Sequence, residues 1–367
     1  MRTSPNAISL IYALLGAALV FIGCEGLVGG DASYEKVVII GETAESGVFD
    51  PSLEYSGTTG RLAYSAVEVP EYVHTHLAES TDGGRTWEYV AEINRSEPGT
   101  VVDDGSTIEG VWRHEVPTLV YDPDDMGREW KVYWHRYFAE PPYDADDRLF
   151  EYGWIAYKYA SDPGGPWSEE VALFGAYPFP SGGFEVEYYL NQLHPDLADF
   201  IAFTEPGSLY KDGVLYLCLV GARADGESNF KVFLIRSSDH GETWEYVGTL
   251  TDNDDAAELG YTMLTAPSLV EEGGRVFLLV APWGPLLTDH DGTYVFEFED
   301  ISRARLKREN GKLVVVKYLP PSLSGWINAG ESDYDAGNTY GGIIMPQLDM
   351  ADPNGFAIYN TKERITD

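Results

Sequence analysis

The chain has 367 residues, of which 24 are basic and 60 acidic, giving a formal charge of −36. A surplus of acid this large repels polyphosphate, so a nucleic-acid partner is excluded as an expectation. The bulk of the acid reads as a solvated surface, and Asp252-Asn253-Asp254-Asp255, although rich enough in carboxylate to attract calcium, lacks the regular ligand spacing of a calcium loop.

In chain order, the first feature is an export signal over residues 1–23. Arg2 is the only charge before an apolar run from Ile8 to Ile22, too short to span a bilayer comfortably. Phe21-Ile22-Gly23-Cys24 resembles a bacterial lipobox, with Phe21 where Leu is usual. That resemblance implies lipidation of Cys24, a short tether over 24–33, and a place in the bacterial cell envelope, with the membrane touched only through the N-terminal lipid. One other cysteine then remains, Cys218, inside the apolar run Leu215 to Val220. It reads as a small core residue, with neither disulfide nor thiol chemistry.

From Tyr34 to the end, the chain is expected to form a single all-β domain (34–367). Tyr34 to Ile40 reads as a strand. Two repeats follow. Ser80-Thr81-Asp82-Gly83-Gly84-Arg85-Thr86-Trp87 is matched by Ser237-Ser238-Asp239-His240-Gly241-Glu242-Thr243-Trp244, and Ser161 to Trp167 is a worn copy. In such a turn the carboxylate accepts nearby backbone N–H groups, Gly supplies positive φ, and Trp packs between sheets. In the second repeat a proline followed closely by Leu opens five segments, at Pro51, Pro117, Pro206, Pro267 and Pro346. Each leads into a Gly-containing turn and a run rich in Val, Tyr, Phe and Trp, the signature of a hairpin. A repeated supersecondary unit decides the fold before any single residue does. Five units of four antiparallel strands, the last incomplete, predict a five-bladed β-propeller whose ring is closed by the strand near Tyr34. Helix is expected to be scarce, with a hint only over Leu190 to Phe200.

Strand direction then sorts residues by face. The starts of first strands share a mouth with the loops after second strands, whereas the Asp turns lie on the opposite face. Asp50 precedes the first Pro, Glu205 precedes the third, and Glu115 lies two before the second. Acids at three consecutive blade starts are expected to converge on one pocket, where burial and like charge separate their pKa values. Around them, the loop-proximal Arg113, Trp134, His135, Arg136, Arg223 and Trp283 are candidate substrate contacts, since aromatic faces stack on sugars and Arg clamps carboxylates. His74 and His76, one residue apart, are too little to assert a metal site. No cofactor is expected, although the acids at the mouth can instead hold calcium.

The Asp turns resemble the Asp-box of sialidases and related propellers. The layout of blades and acids resembles the five-bladed glycosidases of the arabinanase/xylosidase and invertase types. The second resemblance implies a glycoside hydrolase with Asp50 as base or nucleophile, Glu205 as general acid, and Glu115 tuning pKa or binding substrate. Because Glu115 is offset by one residue, and the middle acid of those families is usually Asp, Glu115 and Glu205 can exchange roles. A sialidase-like exo-glycosidase ranks lower. Arg113, Arg136, Arg223 and Tyr340 offer its residue types, but Phe49-Asp50-Pro51 stands where that family has Arg-Ile-Pro. The rival from another class is a glycan-binding or surface scaffold propeller that binds at the same mouth without cleaving. The expected partner is a glycan, and the expected state a monomer.

Overall fold

Alternation along single strands explains the architecture. In the run Leu215 to Val220, Leu215, Leu217 and Leu219 pack into one hydrophobic cluster with Tyr133, Phe174 and Trp244. Tyr216, Cys218 and Val220 pack into another with Leu264, Leu278 and Phe296. Successive side chains on a strand point to opposite faces, so a strand apolar at every position is sandwiched between two other sheets. Each such Leu contributes roughly 1.5–3 kcal/mol by leaving water.

The computed structural model describes residues 34–366 apart from 69, 104, 144–151, 179–183, 224–229, 285–289, 322–325, 329 and 350–354. The export signal (1–23), the tether (24–33) and Cys24 lie outside the described residues. Among the described residues, no helix is long and apolar enough to cross a membrane.

The chain is a five-bladed β-propeller built from five sheets in sequence order. From the channel outward, the first sheet holds Val48–Ser56, Thr59–Glu68, Tyr72–Ser80 and Trp87–Asn94. The second holds Ser106–Tyr121, Trp130–Ala139, Gly153–Ala160 and Val171–Gly175, and is enlarged by Glu97–Asp103, which folds back on the start of its first strand. The third holds Phe200–Lys211, Val214–Arg223, Lys231–Ser237 and Glu245–Thr251. The fourth runs Met263–Glu272, Arg275–Trp283 and Thr293–Asp300, edged by Arg305–Leu306 and Val315–Leu319. In the fifth, Trp326–Asn328, Ile344–Asp349 and Phe356–Asn360 are followed by Glu35–Lys36 from the start of the chain, antiparallel to Phe356–Asn360. Ile39–Ile40 lies parallel to the outer strand of the first sheet.

The Asp turns sit between third and fourth strands as expected, and their bonds explain the motif. Asp82 accepts the backbone N–H of Arg85 (3.0 Å) and Thr86 (2.9 Å) and the Thr86 hydroxyl (2.7 Å). Asp239 accepts the same two groups of Thr243 at 2.9 and 2.6 Å. Trp87 and Trp244 are buried between sheets. The worn copy keeps one side-chain bond of this kind, Gly164 N–H to Asp162 at 2.8 Å.

Two expectations need correcting. Pro346 opens no blade: it lies in the second strand of the fifth sheet, paired with Ile358. Ile344 exchanges both backbone bonds with Asp333 of the inner strand, and Pro346, two residues on, faces the same edge where that strand is interrupted. A missing N–H costs no ladder bond there. In the fifth blade's inner strand the place of the residue–proline pair is taken by Gly330-Glu331, without a proline. Helix is scarce but not confined to Leu190–Leu193 and Pro195–Leu197. Asn253–Leu259 is also helical, with Asp252 and Asp255 forming a capping box and Asp255 paired with both terminal nitrogens of Arg308. The acidic stretch 252–255 is thus spent on a helix start.

The inner strands share one device. Each of the first four carries a bulge, between Phe49/Ser52, Glu115/Thr118, Thr204/Gly207 and Thr265/Ser268. At each bulge the residue before proline has positive φ: Asp50 (46°), Val116 (54°), Glu205 (51°) and Ala266 (46°). Gly330, at 146°, takes this place in the fifth. A non-glycine residue held there costs of order 1–3 kcal/mol and persists only where its surroundings impose it. Bulges of this kind re-aim side chains and gather beside functional sites.

The inner strands also present unpaired N–H groups to the channel, and side chains of neighbouring blades satisfy them. Ser52 accepts Leu119 N–H (3.0 Å), Thr118 accepts Ser208 N–H (2.9 Å), and Glu205 accepts Ala266 N–H (2.6 Å). Asp333 takes the Ser268 hydroxyl (2.7 Å) on one side and Leu53 N–H (2.6 Å) on the other. Every boundary between adjacent blades is bridged in this way.

Candidate active site

The bulges, and Gly330 in the fifth blade, bring four acids to one mouth of the channel. Asp50 is 2% exposed; its Oδ1 accepts Glu331 N–H at 3.1 Å and its Oδ2 the Ser65 hydroxyl at a long 3.4 Å. A Cβ at Gly330 would lie 1.9 Å from Asp50 Oδ1, so only glycine lets the carboxyl pack this closely. Burial first, then the charges of Glu115 and Glu205, hold the Asp50 carboxyl well above the usual range. Glu115 is also pushed up by burial, but Tyr137, whose hydroxyl donates to Oε2, and then the Arg113 charge pull it back. Glu205 is buried at 5% exposure, one oxygen spent on Ala266 N–H.

Glu331 is the acid that the sequence did not reveal. It is fully buried, and neither carboxylate oxygen has a hydrogen-bond partner among the described residues. Burial, then Asp333, Asp50 and Glu205, push it well above the ordinary range. The fifth blade start has no proline to mark it, and 281 residues separate Glu331 from Asp50. Tyr137 was also missed; it stands two residues beyond His135, on the strand that pairs with Glu115's own.

The six candidate contacts divide by burial. Arg113 has no exposed surface. Its Nε reaches Glu71 O (3.0 Å), its Nη2 reaches Pro70 O, and its Nη1 reaches Tyr137 Oη (3.4 Å), so it supports Glu115 rather than offering a free fork. Trp134, also unexposed, packs with Trp112, Phe138 and Leu77 between the first two sheets and turns no face to a ligand. His135 bonds Thr204 Oγ1 (2.9 Å), and burial lowers its pKa to about 3, leaving it neutral. Trp283 is buried with its indole N–H on Thr265 Oγ1 (2.9 Å). Arg136 and Arg223 are partly exposed, the first paired with Glu170 and laid over Trp112, the second paired with Asp199. Tyr340, the sialidase-type candidate, donates its N–H to Gly83 O of an Asp turn (2.8 Å), on the face opposite the mouth.

His74 and His76 occupy one face of the first sheet's third strand with rings stacked at 5.8 Å. His76 Nδ1 meets Glu42 at 2.9 Å. Asp122, Asp125 and His240 bring donor atoms within 4.8 Å of one another on the Asp-turn face, but the Lys131 ammonium lies 3.1 and 2.8 Å from the two carboxylates and Arg128 Nε 3.2 Å from Asp125, so both carboxylates already have cation partners.

These shifts fix how stability should depend on pH. Asp50, Glu54, Glu115, Glu331, Asp333 (to about 7) and Asp335 are all raised, burial being the first cause in each. A raised carboxyl binds a proton on folding, so its contribution is full below the unfolded pKa and falls as pH rises toward the folded value. His74, His114 and His135 are lowered by burial and work in the opposite sense, but only below their unfolded pKa of 6.5. Above it the carboxyls held well above the ordinary range, Asp50, Glu54 and Glu331, continue to lower stability, by up to about 1.4 kcal/mol per pH unit for each that still keeps its proton in the folded protein. The urea midpoint should therefore fall from pH 6.5 to 8.5; a rising midpoint would contradict the protonated mouth.

No protein-family model matches the sequence, and no curated protein matches it. Solved structures do match. A family-43 endo-arabinanase from Bacillus licheniformis superposes with a TM-score of 0.51 at 15% identity, over 86% of this chain and 93% of that one. A thermostable family-43 glycoside hydrolase gives 0.52 at 12%, over 89% and 91%. A family-32 β-fructofuranosidase from Bombyx mori gives 0.48 at 16%; it is matched over 89% of this chain, which spans 60% of its length. At these identities the likeness is one of fold: the chain shares the propeller architecture of the two family-43 enzymes.

Proposed function

We propose that this protein is a carbohydrate-active propeller, and specifically a glycoside hydrolase working at the mouth lined by Asp50, Glu115 and Glu205. The observation that carries this reading is the convergence of acids from three blades, with the charges of Glu115 and Glu205 both acting on the buried Asp50 carboxyl. Glycoside hydrolysis needs one carboxyl as base or nucleophile and another kept protonated as acid. Asp50 serves as base or nucleophile. The negative charge on Glu115, secured by Tyr137 and Arg113, lifts the basicity of Asp50 toward neutral pH, where a base works best. Glu205 serves as general acid. The substrate is a plant, algal or microbial glycan.

A glycan-library hydrolysis screen comparing the wild type with Asp50→Asn and Glu205→Gln tests this. Turnover lost in both variants supports catalysis. Binding without turnover on any glycan would leave the rival, a glycan-binding propeller. One observation keeps the sialidase-like alternative in second place: the Tyr137–Glu115 hydrogen bond supplies a Tyr–Glu pair, although both residues lie in one blade.

We also propose that the protein is exported and anchored through a lipid on Cys24, as the motif Phe21 to Cys24 suggests. In a bacterial host that processes lipoproteins, Cys24→Ser should move the protein from the membrane fraction to the soluble exported fraction and abolish palmitate labelling. Unchanged fractionation would sink the anchor.

A further inference from the structure

Glu331 has no role in the chemistry set out above, yet its placement is unusual. It is fully buried with both carboxylate oxygens unpartnered, while its own N–H holds Asp50 Oδ1 at 3.1 Å. The charged or titratable groups around it are Asp50 on the first blade's inner strand, Glu205 on the third's, Asp333 two residues along its own strand, and the Cys218 thiol on the third blade's second strand. None is a cation. Two neighbouring carboxyls in such surroundings cannot both ionise cheaply. The better-solvated one ionises first. Asp50 has a backbone N–H and a hydroxyl to stabilise its charge, and Glu331 has no donor at all.

We propose that Glu331 is the proton-keeping partner of Asp50, a positioning residue that stays uncharged so that Asp50 is the acid that ionises at the mouth. Its main chain orients the Asp50 carboxyl, and its side chain keeps its own proton, which leaves the ionisation to Asp50. Glu331 touches no substrate. The proposal rests on the reading of Asp50 as the working carboxylate, but its test needs no turnover, so the two can fail separately.

The test uses Glu331→Gln, which preserves shape and the neutral state. Two quantities are followed from pH 4 to 9: the urea midpoint, and the titration of Asp50 in protein carrying carbon-13 in its Asp carboxyls, assigned by loss of the Asp50→Asn signal. The variant should lose less stability than the wild type as pH rises, because one buried acid no longer resists ionisation. The Asp50 midpoint should stay within about half a pH unit of the wild-type value, since Gln reproduces the uncharged acid. A drop of a unit or more would mean that Glu331 is charged before Asp50 and would overturn the proposal. A stability profile parallel to that of the wild type would overturn it as well. Should Glu331→Gln not fold, Asp50→Asn supplies the same information. Removing the Asp50 charge should move the pH at which stability stops falling to a lower value, and an unmoved end-point rejects the coupling.

Discussion

Asp50→Asn should reduce hydrolysis of a natural glycan by about 10²- to 10⁴-fold, and hydrolysis of an activated aryl glycoside by a similar factor. Glu205→Gln should show the same loss on the glycan but a far smaller one on the aryl glycoside. The difference is chemical. A good leaving group departs without protonation, so the general acid becomes dispensable, whereas the base or nucleophile is needed whatever leaves. Glu115→Gln separates the remaining role. Removing a negative neighbour lowers the pKa of Asp50, so the acid limb of the pH–rate profile should move to lower pH while the aryl and glycan losses stay alike. If Glu115→Gln is instead the variant spared on the aryl glycoside, then Glu115 and Glu205 exchange roles. Equal activity of Asp50→Asn and the wild type on every substrate would remove the hydrolase reading altogether.

The residues that the sequence did and did not reveal differ in a physical way. Asp50 and Glu205 could be found because each sits against a proline that marks a bulge, so a local signal coincides with the functional position. Glu115 was found one residue off register: at its bulge the positive φ falls on Val116, and Glu115 reaches the mouth through its hydrogen bond with Tyr137. Glu331 could not be found this way. Its blade start carries Gly330 instead of a residue–proline pair, and its partner Asp50 belongs to the far end of the chain, brought close only by completion of the ring. Pro346 misled because a proline is equally tolerated opposite a bulge and within one. Trp134 misled for a different reason. Alternation shows that it must face a neighbouring sheet but not whether that contact leaves a ring open, and here the contact with the first blade covers it. Blade number, strand order and turn chemistry were legible because they repeat. Lateral contacts between blades were not, because each is made once.

The lateral contacts also locate the largest stability effect. Asp333 joins three blades: Oδ2 takes Leu53 N–H at 2.6 Å, and Oδ1 takes the Ser268 hydroxyl at 2.7 Å and Tyr334 N–H at 2.8 Å. Asp333→Ala leaves these three buried donors without a partner, each worth about 1–3 kcal/mol. Against this, the mutation relieves the cost of burying a carboxyl whose pKa burial has raised to about 7. The donors win, and a net loss of about 3–5 kcal/mol is expected in urea denaturation at pH 6. Asp333→Asn keeps an acceptor oxygen and should lose much less. Its deficit should also shrink as pH rises from 5 to about 7, because over that range the folded wild type keeps a proton that its unfolded chain releases, and the amide has no such cost. If Asp333→Ala is as stable as the wild type at pH 6, the inner hydrogen-bonded ring does not hold the blades together. In that case the packing between sheets, centred on Trp87, Leu62 and Ile358 at this boundary, carries the closure alone.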